Sequence, residues 1–110
     1  EGKGALVDLA NVIRDEEDIT IMVEGHTDTD PFNGSGAVKD NWDLSVMRAT
    51  SVVRILTGQG KMSPDVLTAA GRGEHVPVAD NGSREGKAKN RRIEIILAPN
   101  LDELFEIINE

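Results

Sequence analysis

Cysteine is absent from this 110-residue chain, which removes disulfides, thiolate metal sites and cysteine nucleophiles from consideration. Tyrosine is absent too, and aromatic residues make up only 3%, as two Phe and one Trp. So few rings leave no series of platforms on which bases or sugars can stack. No apolar run exceeds a few residues, so nothing in the chain reads as a membrane span or a secretion signal. Positive charge is in the minority: 12 Lys and Arg stand against 20 Asp and Glu, a net charge of −8. A phosphate backbone is therefore a poor main ligand, and nucleic acid is not expected as a partner.

What is present suffices for one ordinary domain, residues 1–110. The apolar share of 38% together with 11 glycines keeps the chain in the globular class. The first residue is Glu1 and not Met, so the chain reads as a piece of a longer protein, with any membrane attachment supplied by segments outside it.

Hydrophobic spacing divides the chain into alternating elements. Leu6, Leu9, Ala10 and Ile13 fall on one face of a helix over Ala5 to Arg14. Ile19, Ile21 and Val23 alternate with Thr20, Met22 and Glu24, which predicts a strand. The segment from Gly25 to Trp42 lacks periodicity and carries Pro31 and three glycines, so it reads as a long functional loop. A second helix is expected from Asp43 or Ser45, either able to cap it, to Gly58, with Ala49, Val52, Val53 and Leu56 as its buried stripe. Leu67 to Ala70 and Ile93 to Leu97 read as strands, and Ser83 to Asn90 as a short helix between them. Leu101, Leu104, Phe105 and Ile108 predict a terminal amphipathic helix at about 101–109. This is an α/β pattern, a small mixed sheet packed by helices in an α+β sandwich. Three strands are few for so many amphipathic helices, so a further strand is expected upstream of the first helix.

Three constellations can carry chemistry. At the end of the first strand, His26, Asp28 and Asp30 alternate and supply nitrogen and oxygen donors for a metal, as in a metal-dependent hydrolase; alternatively Thr27, Asp28 and Thr29 simply turn the chain. Arg48 falls in the expected first turn of the second helix, where a cation opposes the macrodipole unless an anion is held there. Arg48 holding a carboxylate and Asp28 holding an ammonium would together recognise an amino-acid zwitterion. Finally, Arg84, Lys87, Lys89, Arg91 and Arg92 place five of the 12 cations within nine residues. A solvated face is the plain reading of that run; one inward-pointing Arg can join Arg48 at a carboxylate. His26, Trp42 and His75 can each be packing residues, and this is the expectation for Trp42 and His75.

Four ordered runs carry a resemblance: Val23-Glu24-Gly25-His26-Thr27-Asp28; Asn41-x-x-Leu44-Ser45-x-x-Arg48-Ala49; Ala69-Ala70-Gly71-x-Gly73-Glu74-x-x-Pro77; and Glu85-Gly86-x-Ala88-x-Asn90-Arg91-Arg92-Ile93-Glu94. Over about residues 5 to 97 the chain resembles the OmpA-like peptidoglycan-binding domain, the module of OmpA, Pal and MotB proteins. The resemblance implies a βαβαβ topology whose first strand is missing here, and non-covalent binding of peptidoglycan through meso-diaminopimelate of the stem peptide, without catalysis or cofactor. Carried over by motif, Asp28 and Arg48 would be the principal contacts, with Thr27, Asn41 and Arg91 lining the same pocket. Diaminopimelate keeps a free amino and a free carboxyl group at the end of its side chain, the partners that Asp28 and Arg48 require. The loop between Asp28 and Asn41 holds 12 residues, longer than in compact family members, so Asp30, Pro31 and Phe32 are expected to reshape one wall. The implied setting is the periplasm of a Gram-negative bacterium, with the domain tethering an outer-membrane or other envelope protein to the wall. The periplasmic part of a MotB-like flagellar stator is the alternative.

Overall fold

The alternating Ile19, Ile21 and Val23 form the middle of a three-stranded sheet. In the computed structural model, which describes residues 2–34 and 36–99, β1 runs Ile19–His26, two residues beyond the expected end. Strand β2 (Leu67–Gly71) pairs with it in parallel and β3 (Arg92–Pro99) antiparallel, in the order β2-β1-β3. Helix α1 (Gly2–Ile13) precedes β1, α2 (Asn41–Thr57) and a 3-10 turn at Pro64–Val66 lie between β1 and β2, and α3 (Arg84–Asn90) leads into β3. The α2 crossover is the connection that a parallel pair requires. The mixed sheet packed by helices is the architecture that the spacing predicts. The helix expected at 101–109 lies outside the described residues.

Register puts the apolar residues together. Ile21 pairs with Leu67 and Leu97, and Val23 with Ala69 and Ile95, so alternate residues of all three strands share one face. Ala10 and Ile13 of α1, Ala49 and Leu56 of α2, and Met62 complete the buried core with Ile21 and Val23; Leu6, Leu9, Val52 and Val53 border it. Each fully buried aliphatic side chain contributes about 1.5–3 kcal/mol. On the reverse face Met22, Glu24 and His26 stand opposite Ile96, Glu94 and Arg92.

Helix α2 crosses the carboxyl ends of β1 and β2 where two register partners are glycine, Gly25 and Gly71. A Cβ on Gly25 would strike the Ser45 carbonyl, and one on Gly71 would meet Ser45 Oγ and Val46. The buried Ser45 hydroxyl donates to the Trp42 carbonyl at 2.9 Å and accepts from the Gly73 N–H at 3.0 Å. Helix and strand ends are thereby locked at the point where the chain leaves β1.

The start of α2 differs from the expectation of Asp43 or Ser45. Asp40 is the N-cap: its carboxylate accepts from the Asp43 N–H at 3.0 Å and its carbonyl from the Leu44 N–H at 2.9 Å. Asp43 reaches back instead, accepting from the Lys39 N–H at 3.0 Å. Arg48 therefore lies two turns beyond Asn41 rather than in the first turn. The macrodipole fades within one turn, so Arg48 is no part of an anion site at the helix start.

Candidate functional site

Past the last β1–β2 pair the two segments keep two more contacts, the Arg72 N–H donating to Gly25 O at 3.0 Å and the Thr27 N–H to Gly73 O at 2.8 Å. This carries Thr27 and Asp28, both buried, just past the carboxyl end of the central strand. Thr27 Oγ1 donates to the Asp28 carbonyl at 2.8 Å. Asp28 Oδ1 accepts from the Asp30 N–H at 3.0 Å, closing an Asx turn. Asn41, the first residue of α2, donates its amide to the carbonyls of Asp28 (3.3 Å) and Asp30 (3.1 Å) and to Glu74 Oε1 (3.1 Å). One amide thus holds the loop after β1 against the loop after β2.

The other Asp28 oxygen, Oδ2, accepts from an Arg91 guanidinium N–H at 2.6 Å. The Asp28 side chain is 8% exposed while that of Arg91 is 43% exposed, so a buried carboxylate orients a guanidinium whose remaining donors face outward. Beside it Lys87 Nζ meets Asp30 Oδ1 at 2.9 Å, and this carboxylate holds the lysine pKa above its ordinary value. Asp30, Gly82, Ser83, Arg84, Lys87 and Arg91 line an open cleft of about 420 Å³. Arg84 and Lys87 are therefore part of a wall, whereas the charge run alone predicts solvated residues like Lys89.

The fold brings together Thr27, Asp28, Asn41 and Arg91 of the expected site. Arg48 is half-buried on α2 and, among the described residues, has no ion-pair partner. The charge that meets Asp28 is Arg91. Asn90, in sequence no more than one member of a motif, is fully buried: its Oδ1 accepts from the Val78 and Ala79 N–H groups (2.8 and 3.0 Å), and its Nδ2 donates to Ala79 O and Asn81 Oδ1 (3.0 and 2.8 Å). Every hydrogen-bonding position of that amide is used to hold the loop beneath Arg91. Trp42 and His75 do pack, but on each other at the surface: their rings stack at 4.8 Å, and Trp42 is 51% exposed.

His26, Asp28 and Asp30 do not converge as a metal site. Asp28 and Asp30 are held by Arg91 and Lys87, and His26 Nε2 turns to Glu24 Oε1 at 2.7 Å. The donor group that the fold does gather, among the described residues, is Glu24, His26 and Glu94 on the reverse face of the sheet. Arg72 lies 3.6 Å from Glu24, and Arg92 bonds Glu94 at 2.7 Å. The Arg92 hydrogen bond pulls the Glu94 pKa below the usual carboxylate value. Arg92 also donates to Val76 O at 2.9 Å; it is the inward-pointing arginine, and it serves this network and not the Asp28 pocket.

Comparison with known proteins places this geometry. A profile of the OmpA family matches residues 1–91. The chain is 43% identical over 79 residues to Motility protein B of Bacillus subtilis, covering 72% of this chain and 30% of that protein. A crystal structure of the periplasmic domain of Helicobacter pylori MotB superposes with a TM-score of 0.81 at 28% identity, over 97% of this chain and 73% of that one. The peptidoglycan-associated lipoprotein of Burkholderia pseudomallei superposes with a TM-score of 0.72 at 25% identity, over 87% and 76% of the two chains. The chain thus spans under a third of the length of the Bacillus relative. The motifs, the mixed sheet and these likenesses agree: the chain belongs to the OmpA family.

Proposed function

We propose that the chain is a non-catalytic peptidoglycan-binding module that holds the stem peptide through its diaminopimelate at the carboxyl end of β1. The observation that carries this reading is the buried Asp28 carboxylate paired with the outward-facing Arg91 at 2.6 Å, at the mouth of a cleft. Asp28 fixes the guanidinium, and the free donors of Arg91 offer a fork for a ligand carboxylate. Asn41 and Thr27 hold the Asp28 turn, and Arg48 supplies a further cation along α2. The likeness to the Burkholderia protein, a peptidoglycan-associated lipoprotein, supports the ligand class. Cosedimentation with purified peptidoglycan tests the reading: the domain pellets with the wall, free meso-diaminopimelate releases it, and absence from the pellet overturns the assignment.

Two settings fit such a module, both in the periplasm. In one it tethers an outer-membrane or other envelope protein to the wall, as the likeness to the Burkholderia lipoprotein suggests. In the other it is the wall-binding part of a flagellar stator, which the 43% identity to Motility protein B and the superposition on Helicobacter MotB favour. No helix among the described residues is long and apolar enough to cross a membrane, so either anchor would be supplied by other segments. Grafting the domain onto the membrane segment of the Bacillus protein separates the settings. Restored swimming supports the stator.

A further inference from the structure

The cleft beside the Asp28–Arg91 pair extends past the residues that the proposed function uses. Arg84, Lys87 and Arg91 recur at i, i+3 and i+7 along α3 and its exit, so they lie along one side. From Arg84 to Arg91 that side runs about 10 Å, the length of about three residues of extended peptide. Two of the three cations are already met, Arg91 by Asp28 and Lys87 by Asp30, while Arg84 pairs with no carboxylate among the described residues. The wall therefore carries a net charge of about one positive unit in a chain whose total is −8. That balance suits a singly charged carboxylate better than a doubly charged phosphate.

We propose that this cleft is a second subsite for the same ligand, in which Arg84 and Lys87 take the free α-carboxylate of the γ-linked glutamyl residue of the stem peptide while Arg91 serves the diaminopimelate end. The inference rests on the peptidoglycan reading and deepens it: the domain then selects wall peptide whose glutamyl α-carboxylate is free over peptide in which it is amidated. Lys87 presents its ammonium between Asp30 and the cleft, and Arg84 guards the far end next to Gly82 and Ser83.

Calorimetric titration with two synthetic tripeptides, alanyl-γ-glutamyl-diaminopimelate with the glutamyl α-carboxylate free and the same peptide as its α-amide, tests this. The acid is expected to bind about fivefold to tenfold more tightly than the amide. Arg84→Ala and Lys87→Ala each bring the acid down toward the amide's affinity, so that the ratio between the two peptides falls toward one. Equal affinity of the two peptides for the unaltered domain overturns the subsite, and so does an equal loss for both peptides in Lys87→Ala, which would mark a loosened Asp30 loop instead. Retention on purified wall separates the two failures: a domain that pellets with peptidoglycan but ignores amidation loses only the subsite, whereas one that does not pellet loses the function itself.

Discussion

Asp28 and Arg48 look alike as sequence signals but differ in what their removal should do. Asp28→Ala deletes the acceptor of both the Arg91 guanidinium and the Asp30 N–H, so it should cost about 1–3 kcal/mol of stability as well as wall binding. Arg48 has no ion-pair partner among the described residues, so Arg48→Ala should leave the melting temperature nearly unchanged while weakening binding by about 1 kcal/mol or less, the effect of a partly exposed charge. Melting curves read beside pelleting isotherms check both; equal stability losses would show that Arg48 is structural. Glu94 makes a different prediction. Its pKa is lowered by the Arg92 hydrogen bond, so its folded value lies below its unfolded one. The stability it contributes is present above the unfolded pKa, about 4.3, and is lost as pH falls through the folded value. Glu94→Gln should therefore flatten the acid limb of a plot of melting temperature against pH, a limb that stays steep if other carboxylates dominate it.

At the scale of elements, glycine separates packing from propensity. Gly25 lies under the Ser45 carbonyl, so a methyl there must push α2 off the sheet; Gly25→Ala should cost about 3 kcal/mol or more by overpacking. Gly4 sits in α1 with no atom near its Cβ position, and Gly4→Ala should stabilise by about 0.5–1 kcal/mol. Urea titration of the two variants measures both signs at once. The same contrast explains what was legible. Periodicity exposed β1 and α2, because Ile21, Val23, Ala49 and Leu56 are buried as their spacing requires, whereas α3 buries only Gly86 and Asn90 and has no apolar stripe. It missed the start of α2, since Asp40, Asp43 and Ser45 are all competent caps and Asn41 and Trp42 carry no apolar rhythm to choose between them. It ended β1 early, because Gly25 reads as a loop residue until a helix is seen lying on it. Thr27, Asp28, Asn41 and Arg91 were readable as motif members, and the fold gathers them. That Arg91 bonds Asp28 was not readable: the pair is 63 positions apart, and only the β1–β3 register joins them. Lys87 with Asp30, and the Glu24, His26 and Glu94 network, are likewise contacts between elements that no local pattern announces.

Taken whole, the molecule is an anion with one cationic wall. Net charge −8 should outweigh the α3 cluster at any distance beyond a Debye length, about 8 Å at physiological salt, so the domain should pass through a heparin column unretained at that salt. Retention would show that the basic wall acts as a general polyanion surface. The strand order has a mechanical side. The loop that bears Asp28 continues directly from β1, the central strand, which is bonded to β2 over five register pairs and to β3 over eight. A pull on a ligand held at Asp28, directed along β1, loads both ladders in shear, so that many hydrogen bonds must give way together rather than one after another. A peripheral strand would pass the same tension into a single ladder. On the proposed reading, a load taken up at Asp28 enters the sheet through its middle strand and is shared between two ladders.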